Sequence, residues 1–399
     1  MKRGFLLCSL LTIVLLLLSG CWNRRELNEI AIVMAYGFDK VGDQYQVTAQ
    51  VVVPSEVAAR ASGGNLIPVN VYQAKADTLF EAIRKITLSS PRKIYAAHLR
   101  MLVIGEELAR EGIAETLDFI SRDHENRTDF FVAVARGEKA EDILKITTIL
   151  EKIPANQMYQ SLQTSADAWA PSTHVTLDEL ISDLISSGKQ AVLTGIAKTG
   201  PTEIGESQEN VQRIDPFTHM EYSTLAVFRK DRLVGWLTEE ESKGYNYIVN
   251  KVKSTVGHIP CPKDGKLSVE VIRSKTKMKG KVINGKPQIE LSIRAEENIG
   301  EIECSMDLSN NDSIDQLEDL LEQSLKDVIN KSIRKAQKHK VDIFGFGEVI
   351  HRADPKYWKK VEDHWDQQEF EKLEVKVNAD IKIRRIGTTK NPIMQQIKE

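Results

Sequence analysis

Cys21 is the residue whose neighbours best equip it for covalent chemistry. It follows Leu18-Ser19-Gly20, the small-residue pattern that lipoprotein signal peptidase cuts before a diacylated cysteine. Lys2 and Arg3 form a positive start, and Phe5 to Leu18 form an almost unbroken apolar run. At roughly 14 residues that run falls short of the ~20 needed to span a bilayer. The chemistry expected is therefore acylation, with residues 1–20 a lipoprotein signal peptide and Cys21 the anchored N-terminus. At ~0.8 kcal/mol per buried methylene, two long acyl chains hold a protein in a membrane essentially for good. Trp22, Arg24, Arg25 and Glu26, within five residues of the lipid, become candidates for contact with headgroups or membrane-embedded partners. A solvated tether is the competing account of the same residues.

The other residue types that carry chemistry are not spaced to do it. Asp123-His124-Glu125 resembles a triad fragment only on paper, because adjacent residues cannot converge on one substrate atom. His351 and His364 flank an expected helix, which is not ligand spacing. Glu239-Glu240-Glu241 suits a helix start. Gly345-Phe346-Gly347 lacks the third glycine of a dinucleotide fingerprint and reads as a tight turn. There is no His-Glu-x-x-His, no Gly-x-Ser-x-Gly, no phosphate loop and no calcium loop. Neither catalytic residue, cofactor nor metal is expected. Cys261 and Cys304 could pair in an oxidising compartment, or could be two isolated buried thiols.

Of 399 residues, 41% are hydrophobic and 28% charged, the balance of an ordinary globular protein. The formal charge is −3, and loss of Lys2 and Arg3 with the signal takes it to −5. Such a body offers no general basic face for nucleic acid or anionic lipid. Nothing after Cys21 is long and apolar enough to cross a membrane, so any embedded action belongs to partners.

The elements alternate between strand and helix. Ile30 to Gly37 is apolar, Gln44 to Val53 alternates with period two, and Val69 to Tyr72 is extended. Asp77 can cap a helix running to Ile86. Leu99–Ile104 and Phe130–Ala135 read as short buried strands, and 140–152 as a helix ending before Pro154. Thr176 and Thr238, each followed three residues later by Glu, open helices with capping boxes. Ser223–Phe228 and Arg232–Trp236 form a hairpin. Asn284-Gly285 joins two long alternating strands, Asn-Gly supplying the positive φ angles of a tight turn. Asp312–His339 is an amphipathic helix, acidic at its start and basic at its end, expected to pack on a sheet, with a partner-binding coiled coil as the alternative. Asp354-Pro355 starts a helix bearing Trp358, Val361 and Trp365, and Leu373 to Ile383 alternates as a last strand.

The fold expected is multi-domain α+β, mixed sheets with packed helices, its C-terminal domain an antiparallel-rich sheet with a long amphipathic helix. The division reads as signal 1–20, N-terminal α+β region 21–197, linker or crossing loop 198–220, and C-terminal domain 221–399.

Longer stretches carry a resemblance. Cys21 to Glu29 (CWNRRELNE), Ala31 to Asp39 (AIVMAYGFD), Ser90-Pro91-Arg92-Lys93 with His98-Leu99, Arg122 to Gly137, Lys152 to Asn156, Asp342 to Gly347 (DIFGFG) and Pro355 to Trp365 together resemble the Ger(x)C spore-germination lipoproteins. These are the C subunits of GerA-type nutrient receptors. The resemblance implies a non-enzymatic, lipid-anchored accessory subunit on the outer face of the spore inner membrane, partnered by integral-membrane subunits A and B. It maps the lipidated family cysteine onto Cys21. Asn23 stands where Asp is common, which removes a charge beside the anchor and leaves acylation intact. A solute-binding lipoprotein of a nutrient importer is the alternative, though it would need two similar lobes and the halves here are unlike. An extracytoplasmic hydrolase ranks behind both, for want of motifs.

Overall fold

A computed structural model describes residues 28–58, 67–123, 125, 127–261, 265–304, 306 and 308–385, with residues 4, 5 and 9. Cys21, Trp22, Arg24, Arg25, Glu26 and His124 lie outside the described residues.

Met101–Gly105 (β5) and Phe131–Ala135 (β6) are apolar and buried along their whole length. Strands apolar on both faces belong in a sheet covered on both sides, the usual setting of parallel pairing. Accordingly β5 and β6 pair in parallel with each other, and are flanked in parallel by Ile30–Val41 (β1) and Val192–Thr199 (β7). Antiparallel strands extend both sides: Gln44–Val52 (β2) and Val69–Ala76 (β3) beyond β1, His219–Arg229 (β8) and Arg232–Trp236 (β9) beyond β7. Lys93–Tyr95 (β4) pairs with the start of β1, completing nine strands among the described residues.

Period-two alternation gives this sheet two cores. Leu102, Ile104, Val132 and Val134 meet the apolar stripes of Leu79–Lys85 (α1), Glu106–Glu111 (α2), Ala114–Arg122 (α3) and Leu177–Ile185 (α6). Met101, Val103, Ala133 and Ala135 meet Ala140–Leu144 (α4) and Pro154–Ala168 (α5) on the other face.

Several local expectations shift. The cap of α1 is Thr78, not Asp77; its hydroxyl accepts from the Glu81 amide at 3.2 Å. The helix expected over 140–152 stops at Leu144, and α5 begins at Pro154. Gln50, buried on β2, sets both ends: its side chain donates to the Leu144 carbonyl and accepts from the Ala155 amide, each at 2.9 Å. The 198–220 stretch carries short helices at Thr202–Gly205 and Gln208–Val211 and crosses between the antiparallel neighbours β7 and β8. Strands β8 and β9 therefore belong to the first sheet.

The second sheet has the order Thr255–Pro260 (β10), Lys266–Ile283 (β11), Lys286–Ile302 (β12), Glu374–Arg385 (β13), antiparallel except for the parallel pair β12–β13. Asn284 and Gly285 turn the long hairpin at φ +52° and +75°, as the Asn-Gly pair requires. Asn311–His339 (α8) buries Leu317, Leu321, Leu325, Ile329 and Ile333, one stripe at four-residue spacing. It packs on β13 and on Glu239–Ile248 (α7), which Thr238 opens with the expected capping box. Cys261 and Cys304 are joined by a disulfide, settling a pairing that spacing left open.

One buried group sits badly. Glu297, on the inner face of β12, is 3% exposed, and its Oε2 has no hydrogen-bond partner among the described residues. Burial pushes its carboxyl up from the ordinary 4.5 to about 7. The folded protein therefore holds this proton more tightly than the unfolded chain, and stability falls as pH rises across that window. Glu297→Met is expected to stabilise the protein by roughly 3 kcal/mol at most above pH 7, with the gain shrinking toward pH 4. Denaturant titrations at both ends check this; a gain independent of pH would refute it.

Candidate functional site

The two sheets share a core, in which Ala170, Val192, Leu225 and Val227 of the first half pack with the inner face of the second. Where they meet, backbone lies on backbone. A Cβ on Gly347 would come 2.7 Å from the Gly188 Cα and 2.9 Å from its carbonyl oxygen. Only hydrogen fits there.

Asp342 organises the second half of this junction. Its Oδ1 accepts from the amides of Phe344, Gly345 and Phe346, and its Oδ2 accepts from the Gly347 amide at 2.7 Å and the Trp365 indole at 2.9 Å. Gly345 adopts φ +76°, turning the chain so that successive amides face one carboxylate as Phe346–Ala353 (α9) begins. Burial pushes the Asp342 carboxyl up to about 7, against the pull of Trp365 and the backbone amides. Trp365 in turn packs on Trp358, which belongs to Pro355–Val361 (α10), with ring centroids 5.2 Å apart.

Gln190 connects this cradle to the first half. Its backbone amide donates to the Asp342 carbonyl at 2.7 Å, and its side chain donates to Asp366 at 2.8 Å while accepting from the Lys230 amide at 2.7 Å. Asp366 also accepts from the Asp342 amide at 2.8 Å, and burial raises its carboxyl too. Beside it the Ser186 hydroxyl donates to Glu348 at 2.9 Å.

Above these bonds lies a cleft of about 700 Å³, walled by α3, the end of α6, the β8–β9 turn and residues 362–367. That size suits a small molecule or a short peptide segment. Ile185, 80% exposed, forms an apolar lip, and Lys230, Asp231 and Asp363 supply charge of both signs. Two of its hydroxyls are spent on structure: Ser121 donates to the Asp118 carbonyl and Ser186 to the Glu348 carboxylate. The arrangement offers a cleft of ligand size and a hydrogen-bonded link between the halves. Among the described residues no group of three or more His, Cys, Asp or Glu is placed to hold a metal, and no helix is long and apolar enough to cross a membrane.

The histidines do not converge: His351 stacks on Trp358 at 5.7 Å, and His364 lines the cleft. Glu241 closes the capping box of α7. The residues that build the junction, Gln190, Asp342 and Asp366, carry no recognisable spacing. The one trace in the sequence is an aspartate shortly before Phe-Gly-Phe-Gly, noted only as a point of resemblance.

Comparison with known proteins places the whole chain. Spore germination protein KC of Bacillus subtilis (strain 168) is 33% identical over 100% of both chains. The chain belongs to the Ger(x)C family of spore germination proteins. Two family models agree: a spore germination protein N-terminal domain matches 23–198, and a spore germination B3/GerAC-like C-terminal domain matches 223–387. They divide this Ger(x)C chain at the 198–220 crossing, although the first sheet continues past it into β8 and β9. Spore germination protein B3 of the same organism is 25% identical, covering 95% of this chain and 97% of that one. The crystal structure of the GerBC protein superposes with a TM-score of 0.53 at 20% identity, over 87% of this chain and 96% of that one, a likeness of fold.

Proposed function

We propose that this Ger(x)C protein is the lipid-anchored accessory subunit of a nutrient germinant receptor. It works by assembly with the A and B membrane subunits on the outer face of the spore inner membrane, not by catalysis. The observation that carries the reading is end-to-end similarity to a spore germination protein, in a chain whose Cys21 follows Leu-Ser-Gly. A Cys261–Cys304 disulfide suits an oxidising, extracytoplasmic setting. The junction cleft, closed at its base by buried hydrogen bonds, suits a docking or relay role, because a change at one wall reaches the other through Gln190. Trp22, Arg24, Arg25 and Glu26, next to the anchor, would meet the bilayer or the membrane subunits first.

Cys21→Ala is expected to abolish palmitate labelling, release the protein from the spore membrane fraction, and block germination by one nutrient class while vegetative growth stays normal. Full response to every nutrient in a strain lacking redundant receptors would refute the receptor role; labelling that persists would refute the anchor. The cleft alone favours the second reading, a solute-binding lipoprotein. Calorimetric titration with amino acids and sugars separates the two.

A further inference from the structure

Strand β11 leaves its neighbour β10 at Val271, the last residue of that pairing, and continues as an edge to Ile283. A bulge between Val271 and Arg273 resets the alternation, so Thr276, Met278 and Gly280 turn inward. The outward row is Arg273, Lys275, Lys277, Lys279 and Lys281, all exposed. At about 6.8 Å per two residues the four lysines span roughly 20 Å of one straight edge. Ile283, 44% exposed, continues the row at the hairpin tip, and Lys286 lies directly opposite it.

Two acids of β12 lie across from the row, Glu296 opposite Arg273 and Glu290 opposite Lys279, and offset its five positive charges only in part. Glu290 accepts from Asn378, Glu296 from Arg384 and Glu374 from Gln288, and Asp380 pairs with Arg294. Glu290 and Glu296 reach from β12 to partners on β13, and Glu374 and Asp380 lie on β13 itself, one strand further from β11. Among the described residues none of the four lysines makes an ion pair. The chain's net charge of −3 averages this row away, so the expectation of no general basic face misses a local one.

We infer that the Arg273–Lys281 row is a membrane-surface contact that binds anionic phospholipid headgroups, with Ile283 reaching the acyl boundary. Five like charges in line complement a plane of phosphates, and an exposed aliphatic tip beside them suits a bilayer better than a soluble polyanion. The inference rests on the anchored reading above: a tether at Cys21 leaves nine residues before β1 and keeps the body close to the bilayer, where weak headgroup contacts set its orientation.

The test uses residues 21–399 with Cys21→Ser, which keeps every strand described and carries no acyl chain. Sedimentation with phosphatidylglycerol vesicles is expected to show binding at low salt that weakens about tenfold or more at high salt, and no binding to phosphatidylcholine vesicles. Lys275→Gln, Lys277→Gln, Lys279→Gln and Lys281→Gln together are expected to weaken it on the order of 1,000-fold. Ile283→Ser is expected to weaken it while preserving the salt dependence. Equal binding to both vesicle types, or binding unchanged in the fourfold variant, overturns the proposal. So does a fourfold variant that aggregates while still binding, for then the lysines only guard an open edge. Tighter binding to polyglutamate or DNA than to vesicles overturns it in favour of a soluble polyanion. Palmitate labelling of the wild-type chain reads the anchor independently, so failure of one reading is distinct from failure of the other.

Discussion

Asp342→Ala is expected to lower the stability of the protein by roughly 3–5 kcal/mol, because it strands four backbone amides and an indole in a buried site. Asp342 is fully buried, and its two oxygens accept all five of those hydrogen bonds. Asp342→Asn should also destabilise, though less: one oxygen survives, but an amide nitrogen then faces donors. The damage should centre on the junction, since Asp342 holds the start of α9 against Gly188. Chemical denaturation measures the loss, and hydrogen exchange at 186–190 and 343–350 locates it. A variant that melts with the wild type and keeps its exchange protection would show that the cradle is ornamental.

Gly347→Ala should open the same junction from the other direction. The added methyl would sit 2.7 Å from the Gly188 Cα and 2.7 Å from the Trp358 ring, distances that real Cβ atoms do not tolerate. The Trp358 ring is buried between Trp365 and His351, and the Gly188 backbone is held by the Gln190 amide bond to Asp342, so neither gives way easily. Overpacking of this kind costs about 1–3 kcal/mol, and here it should separate the two halves as well. Gly257→Ala is the control, since its new methyl would meet only a Val269 methyl at 3.7 Å. Equal melting temperatures for the two variants would mean that the close approach has no energetic consequence.

The elements that could be read in advance are those whose contacts lie within a turn. Thr176 and Thr238 announce their helices because hydroxyl and glutamate close on amides three residues away. The Asn284-Gly285 hairpin and the stripe of α8 are equally local. By contrast α5 escapes notice because its buried face is Ala155, Met158, Leu162 and Ala166 among polar neighbours, and its start depends on Gln50 over a hundred residues earlier. Strand β7 escapes because a short apolar run containing Gly195 gives no periodicity, and its identity comes from β6 and β8 on either side. The lysine row was legible as alternating letters, yet its meaning depends on the bulge at 272 and on which acids of β12 the register sets across from it.

By itself, the amino-acid order determined the two capping boxes, the hairpin turns and the long helix, because each is decided by neighbours within reach of one turn of chain. Tertiary structure alone decided that β8 and β9 join the first sheet, that Cys261 meets Cys304, and that Gln190, Asp342 and Asp366 form one buried network. The physical reason is that a buried strand edge or carboxylate must find its partners wherever the fold brings them, and separation along the chain does not say where that is.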